Sequence, residues 1–154
     1  MLYKYIIRGG INMKFIKKFL MLFLIFIVSS TSIAIVKANA ATISGQDIVN
    51  EAKKHLGKPY VYGATGPSSF DCSGFTKYVY GQLGINLSRT TYTQIKEGTS
   101  VARADLQAGD LVFTNSGHVG IYVSDGQIIH APRTGSVVKI SPIWTFIGAR
   151  RILN

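Results

Sequence analysis

The sequence predicts an α+β domain over residues 41–154, and three observations carry that prediction. Apolar residues recur at three- and four-residue spacing up to Gly84, β-branched residues with period two dominate after Gly98, and strands and helices do not alternate. Ser44-Gly45 can cap a first helix over about 45–56, with Ile48, Val49, Ala52 and Leu56 on its apolar face and Gly57 and Pro59 as its stop. PYVYG then reads as extended chain, and Gly63 to Ser69 as a loop rich in Gly, Pro and Ser. Phe75, Val79 and Leu83 mark a second helix that holds Cys72 in its first turn and ends at Gly84, and a short helical segment is expected at Thr91–Glu97. Strands are expected at Leu111–Phe113, Val119–Val123, Gln127–His130, Val137–Ile140 and Phe146–Ile152, joined as an antiparallel meander.

The apolar share, 47%, is too high for a disordered chain, and the 16 glycines show no three-residue period. Of the 17 Lys and Arg residues, six fall in residues 1–40 beside no acidic residue, so the net charge of +10 largely reflects that segment. The remaining cations are scattered, with Lys53-Lys54 and Arg150-Arg151 as the only adjacent pairs. That pattern excludes the continuous basic stripe of a nucleic-acid binder.

Lys14, Lys17 and Lys18 precede an apolar run from Phe19 to Val28, followed by Ser29, Ser30, Thr31 and Ser32 and then by Ala38-Asn39-Ala40. This order of basic end, short apolar centre and A-x-A site predicts a signal peptide over residues 1–40, a secreted product and no stable membrane anchor. Residues 1–12 place apolar residues and Arg8 ahead of the basic segment, and the codons for Arg8-Gly9-Gly10 could spell a ribosome-binding sequence. Met13 is therefore the expected start, which terminal sequencing of the unprocessed product would test.

Cys72 is the only cysteine, so no internal disulfide can staple the secreted domain, and a buried filler or a nucleophile are the two readings of the thiol. Asp71-Cys72-Ser73-Gly74 sets that thiol at a helix N-terminus, where free N–H groups and the macrodipole favour a thiolate beside an imidazolium. His55 stands in the first helix with no catalytic motif around it. His118 and His130 lie on consecutive strands joined through Ser124-Asp125-Gly126. A two-residue turn there would point the histidines to opposite faces. A three-residue loop with Gly126 left-handed pairs residues whose numbers sum to 250, which places Gly120 opposite His130 and makes the two rings same-face diagonal neighbours about 7–8 Å apart at Cβ. In that register Val119, Ile121, Val123, Ile129 and Ala131 form a core on the other face, and Gly120 leaves the histidine face open to the Cys72 helix. The pattern supports a triad in which Cys72 attacks, His118 carries the proton and His130 orients His118. Zinc held by one Cys and two His is the rival reading. It is disfavoured because the thiolate needs no metal to explain it and no carboxylate has helical ligand spacing, so neither metal nor cofactor is expected.

YVYGATGPSSFDCSGF, LSRTTYTQ, GDLVF, GHVGIYV and IIHAPRTG, in this order and at these separations, closely resemble the NlpC-type cell-wall cysteine endopeptidases, a branch of the papain-like fold. The likeness runs over about residues 45–154. DCSG alone is a weak signal, but DCSG with GHVGIY and IHA in order is specific. The resemblance implies N-terminal helices packed on a C-terminal antiparallel sheet, with Cys72, His118 and His130 as nucleophile, base and third residue. It also implies that Tyr60 helps to polarise the attacked carbonyl, and that Asp71 and Ser73 meet the free amine of a stem peptide, although Asp71 also reads as a helix cap. Arg89 matches an arginine in an L-P-R-T-like segment, where Ser88 replaces the proline. Ala64 replaces a glycine usual after the aromatic. The activity so implied is hydrolysis of peptidoglycan stem peptides, commonly at the γ-D-glutamyl–diamino-acid bond, by a monomer at the cell wall. The rivals are a cell-wall amidase or transpeptidase and a non-catalytic wall-binding module.

Overall fold

The computed structural model describes residues 42–153. The expected signal peptide and the expected start at Met13 lie outside the described residues. Three helices precede or flank a sheet: α1 (Gly45–Lys53), α2 (Cys72–Gln82) and the single turn α3 (Thr91–Gln94). Ser44 caps α1 through a capping box, its side chain accepting from the Asp47 amide while the Asp47 carboxylate accepts from the Ser44 amide at 2.8 Å. α1 is shorter than the expected 45–56, because residues after Lys53 tighten into turns. Leu56, expected on the buried face, is consequently exposed. α3 likewise stops at Gln94, short of Glu97.

Six strands form one antiparallel sheet: β1 (Thr99–Val101), β2 (Leu111–Asn115), β3 (His118–Tyr122), β4 (Gln127–His130), β5 (Lys139–Pro142) and β6 (Gly148–Arg151), in the order β1-β6-β2-β3-β4-β5. The expected meander therefore holds from β2 to β5 only, since the C-terminal strand returns to pair with β2 on one side and β1 on the other. β1 was not expected. It is a three-residue strand whose partner lies at the far end of the chain. β5 begins at Lys139, two residues later than the expected start at Val137, which instead bridges Pro59.

The β3–β4 hairpin has the anticipated register, with Ile121 opposite Ile129 and Tyr122 opposite Ile128. Its turn reaches that register differently. Both Asp125 (φ 50°) and Gly126 (φ 71°) are left-handed, and Ser124 is the extra residue. Val123 donates to the Gln127 carbonyl, and Gln127 donates to the Ser124 carbonyl.

Of the odd-numbered residues expected in the core, Val119, Ile121, Ile129 and Ala131 are wholly buried, together with Phe75, Val79, Leu111 and Phe113, while Val123 near the hairpin end is only half-buried against them. Each large side chain so buried contributes roughly 1.5–3 kcal/mol over an exposed one. Cys72 belongs to this same cluster, so α2 packs on the odd face. The expectation that α2 approaches across Gly120 is corrected: a Cβ there would meet Ile128 Cδ1 at 2.9 Å and His130 Cβ at 3.1 Å, and the space is filled from within the sheet. A smaller cluster of Val101, Val112, Ile128, Ile143 and Ala149 covers the even face.

Candidate active site

Cys72 is the first residue of α2, and three contacts of Asp71 hold that helix start in place. The Asp71 carboxylate accepts from the Gly74 amide at 2.7 Å, which makes it the N-cap, and from the Gly63 amide at 2.9 Å, which ties down the preceding loop. Arg89 donates to both of its oxygens, at 3.1 and 2.5 Å, and also to Ser73 Oγ at 3.1 Å. The carboxylate beside it holds the Arg89 guanidinium above its ordinary pKa. Gly74 permits the close approach of the loop, because a Cβ would lie 2.2 Å from the Ala64 carbonyl oxygen. Asp71, Ser73 and Arg89 are thus brought together, as a polar cluster around the helix start that carries Cys72.

Cys72 Sγ lies 3.8 Å from Thr91 Oγ1 and donates to the Gly117 carbonyl at 3.5 Å. Tyr60 and Cys72 line the same pocket of about 430 Å³, with Tyr62 and Tyr92 exposed beside them. Burial and the neighbouring Cys72 and Asp71 raise the Tyr60 phenol above its usual pKa, keeping its O–H available as a donor.

His118 opens β3 immediately after Gly117, whose carbonyl accepts from the Cys72 thiol, so the cysteine and the histidine are brought to the same end of that strand. His118 Nε2 stands 2.7 Å from His130 Nδ1, with ring centroids 5.0 Å apart at 81°. His130 Nε2 stands 3.1 Å from Ser141 Oγ. Trp144 covers both rings, its centroid 5.6 Å from His118 and 5.3 Å from His130. Burial pushes His118 down to about 4. It pushes His130 to about 3, with the positive potentials of His118 and Lys139 adding to the effect. Both rings are therefore neutral near pH 7. An imidazolium, the form anticipated for the partner of Cys72, is disfavoured at both rings because they are desolvated. His55 has no part in the site. It is buried against Phe70, Phe75 and Tyr78, with Lys58 Nζ 2.9 Å from its Nδ1.

The sequence profile of the NlpC/P60 family matches residues 57–152, the stretch that contains every residue of this site. The chain belongs to the NlpC/P60 family. It is 49% identical over 102 residues to the "Probable endopeptidase p60" of Listeria grayi, covering 64% of this chain and 20% of that protein. It is 50% identical over 97 residues to a "Probable endopeptidase" of Corynebacterium glutamicum, covering 62% of this chain and 46% of that one. The chain thus spans less than half the length of these relatives. Among solved structures, the NlpC/p60 domain of the peptidoglycan hydrolase SagA superposes with a TM-score of 0.68 at 41% identity, covering 71% of this chain and 99% of that domain.

Several residues of this NlpC/P60 site escaped the sequence reading. Ser141 and Trp144 lie beyond the conspicuous motifs, and neither shows periodicity or spacing that points to a histidine pair. Gln94 is wholly buried, accepts from the Thr76 hydroxyl and donates to the Ser73 and Ser88 carbonyls, lashing α3 to the start of α2. Ser88, where relatives were expected to carry proline, donates its amide to Glu97 Oε1 at 2.8 Å, a bond proline cannot make. Among the described residues no group of three or more His, Cys, Asp or Glu side chains is arranged to hold a metal, and no helix is long and apolar enough to cross a membrane.

Proposed function

We propose that residues 41–154 form a secreted cysteine endopeptidase that hydrolyses peptidoglycan stem peptides at the γ-D-glutamyl–diamino-acid bond, with Cys72, His118 and His130 as its triad. The observation that carries this reading is the 2.7 Å contact between His118 Nε2 and His130 Nδ1 on the residue next to the carbonyl that holds Cys72 Sγ. Family membership, and the names of relatives as endopeptidases and a peptidoglycan hydrolase, support the substrate class.

One proton arrangement satisfies all three contacts of the histidine side. Ser141 Oγ accepts from His130 Nε2, His130 Nδ1 accepts from His118 Nε2, and His118 Nδ1 is left with a free lone pair. That nitrogen takes the Cys72 proton as sulfur attacks the scissile carbonyl carbon. The carbonyl electron pair moves to oxygen, where the unpaired Cys72 amide at the start of α2 and the Tyr60 hydroxyl can donate. Collapse expels the amine, which takes the proton from His118 Nδ1, and leaves a thioester on Cys72. Water, deprotonated by the same nitrogen, then attacks the thioester and releases the acid and the thiol. The imidazolium formed in each half-reaction is stabilised by His130 Nδ1, not by a carboxylate.

Incubating the mature protein with purified peptidoglycan and identifying the new termini by mass spectrometry tests the reading. New free amines at the diamino acid are expected. A freed lactoyl group or an exchanged acceptor would replace it with an amidase or transpeptidase, and no product with a non-catalytic module.

A further inference from the structure

The histidine side of the cleft, about 1170 Å³, contains Arg133 and Lys139 and no acidic residue in its wall. Lys139 is the cross-strand partner of His130, so its side chain leaves the sheet on the same face as that ring, and its charge adds to the lowering of the His130 pKa. Both cations are exposed, and neither joins the ion pairs found among the described residues. On the cysteine side the arrangement is the opposite: the one cation, Arg89, is already committed to Asp71 and Ser73.

Proton delivery decides which half of a substrate meets which side. The leaving nitrogen must lie over His118 to receive its proton, so the peptide beyond that nitrogen runs into the cleft that holds Arg133 and Lys139. We propose that Arg133 and Lys139 select leaving groups that carry a free carboxylate. This rests on the endopeptidase reading and deepens it. Two carboxylates of a leaving peptide fit the chemistry, one on the side chain of the diamino acid and one at the peptide C-terminus. Charge complementarity of this kind at an open site chiefly serves selection between partners.

The test uses synthetic stem peptides that differ only in whether the side-chain carboxylate, the C-terminal carboxylate or both are amidated, with the mature protein and its Arg133→Gln, Lys139→Gln double variant. The wild type is expected to prefer the fully charged peptide by about tenfold in kcat/KM over the doubly amidated one, with the preference shrinking as salt rises. The single amides identify the carboxylate that is read, and in the double variant the ratio should fall near one. Equal rates in the wild type would overturn the inference and leave the endopeptidase reading intact. If no peptide is cleaved, the endopeptidase reading fails on its own. The inference is then decided by titrating the leaving half, charged or amidated, into Cys72→Ala by NMR, where tighter binding of the charged form supports it and equal binding overturns it.

Discussion

His118 and His130 are buried together, and their depressed pKa values follow from that burial more than from any neighbouring charge. A base that stays neutral down to about pH 4 should keep the acid limb of kcat/KM far below the ordinary histidine value. Trp144 covers both rings from the solvent side while remaining half-exposed itself, 54%. Trp144→Ala should admit water and move that acid limb upward toward 6.5; a limb that stays in place would show that the indole does not desolvate the pair. His118→Ala should lower kcat by about 10²–10⁴-fold, the usual worth of a positioned proton carrier, and His130→Ala by less, because it only orients and stabilises. Equal losses measured by peptide turnover would argue for another division of labour.

Helix α2 carries Cys72, the proposed nucleophile, and its first turn is fixed by contacts that come from loops. A methyl group at Gly74 would collide with the Ala64 carbonyl, so Gly74→Ala should cost about 1–3 kcal/mol in urea unfolding, and an unchanged midpoint would contradict the packing described. Much at this scale was legible in sequence. The spacing of Ile48, Val49 and Ala52 located α1, the DCSG segment located the start of α2, and the sum-to-250 register followed from loop length and the sorting of odd residues into a core. What could not be read depends on distant parts of the chain. β1 is three residues long and exists because β6 lies beside it, while the indole packed against both histidines comes from a tryptophan fourteen residues beyond His130. The face taken by α2 is likewise not legible, because period-two patterning says which residues share a face and not which face a helix will choose.

Across the described residues, six strands and three short helices bring two half-sites together at Gly117, which contributes to both the cysteine pocket and the histidine cleft. The buried histidines also tie the stability of the domain to pH. Their folded pKa values lie below the unfolded value of about 6.5, so the unfolded chain binds more protons between pH 6.5 and roughly 4 and stability falls as pH drops through that window. Tm measured from pH 7.5 to 4 should be level above about 7 and decline below it; a flat profile would mean that the rings are not desolvated in solution. The most direct test of the central claim is turnover of purified peptidoglycan by Cys72→Ala, with circular dichroism to verify the fold. Loss of more than about a thousandfold in rate with the fold unchanged is expected of a missing nucleophile. Activity within tenfold of the wild type in a folded Cys72→Ala protein would contradict it.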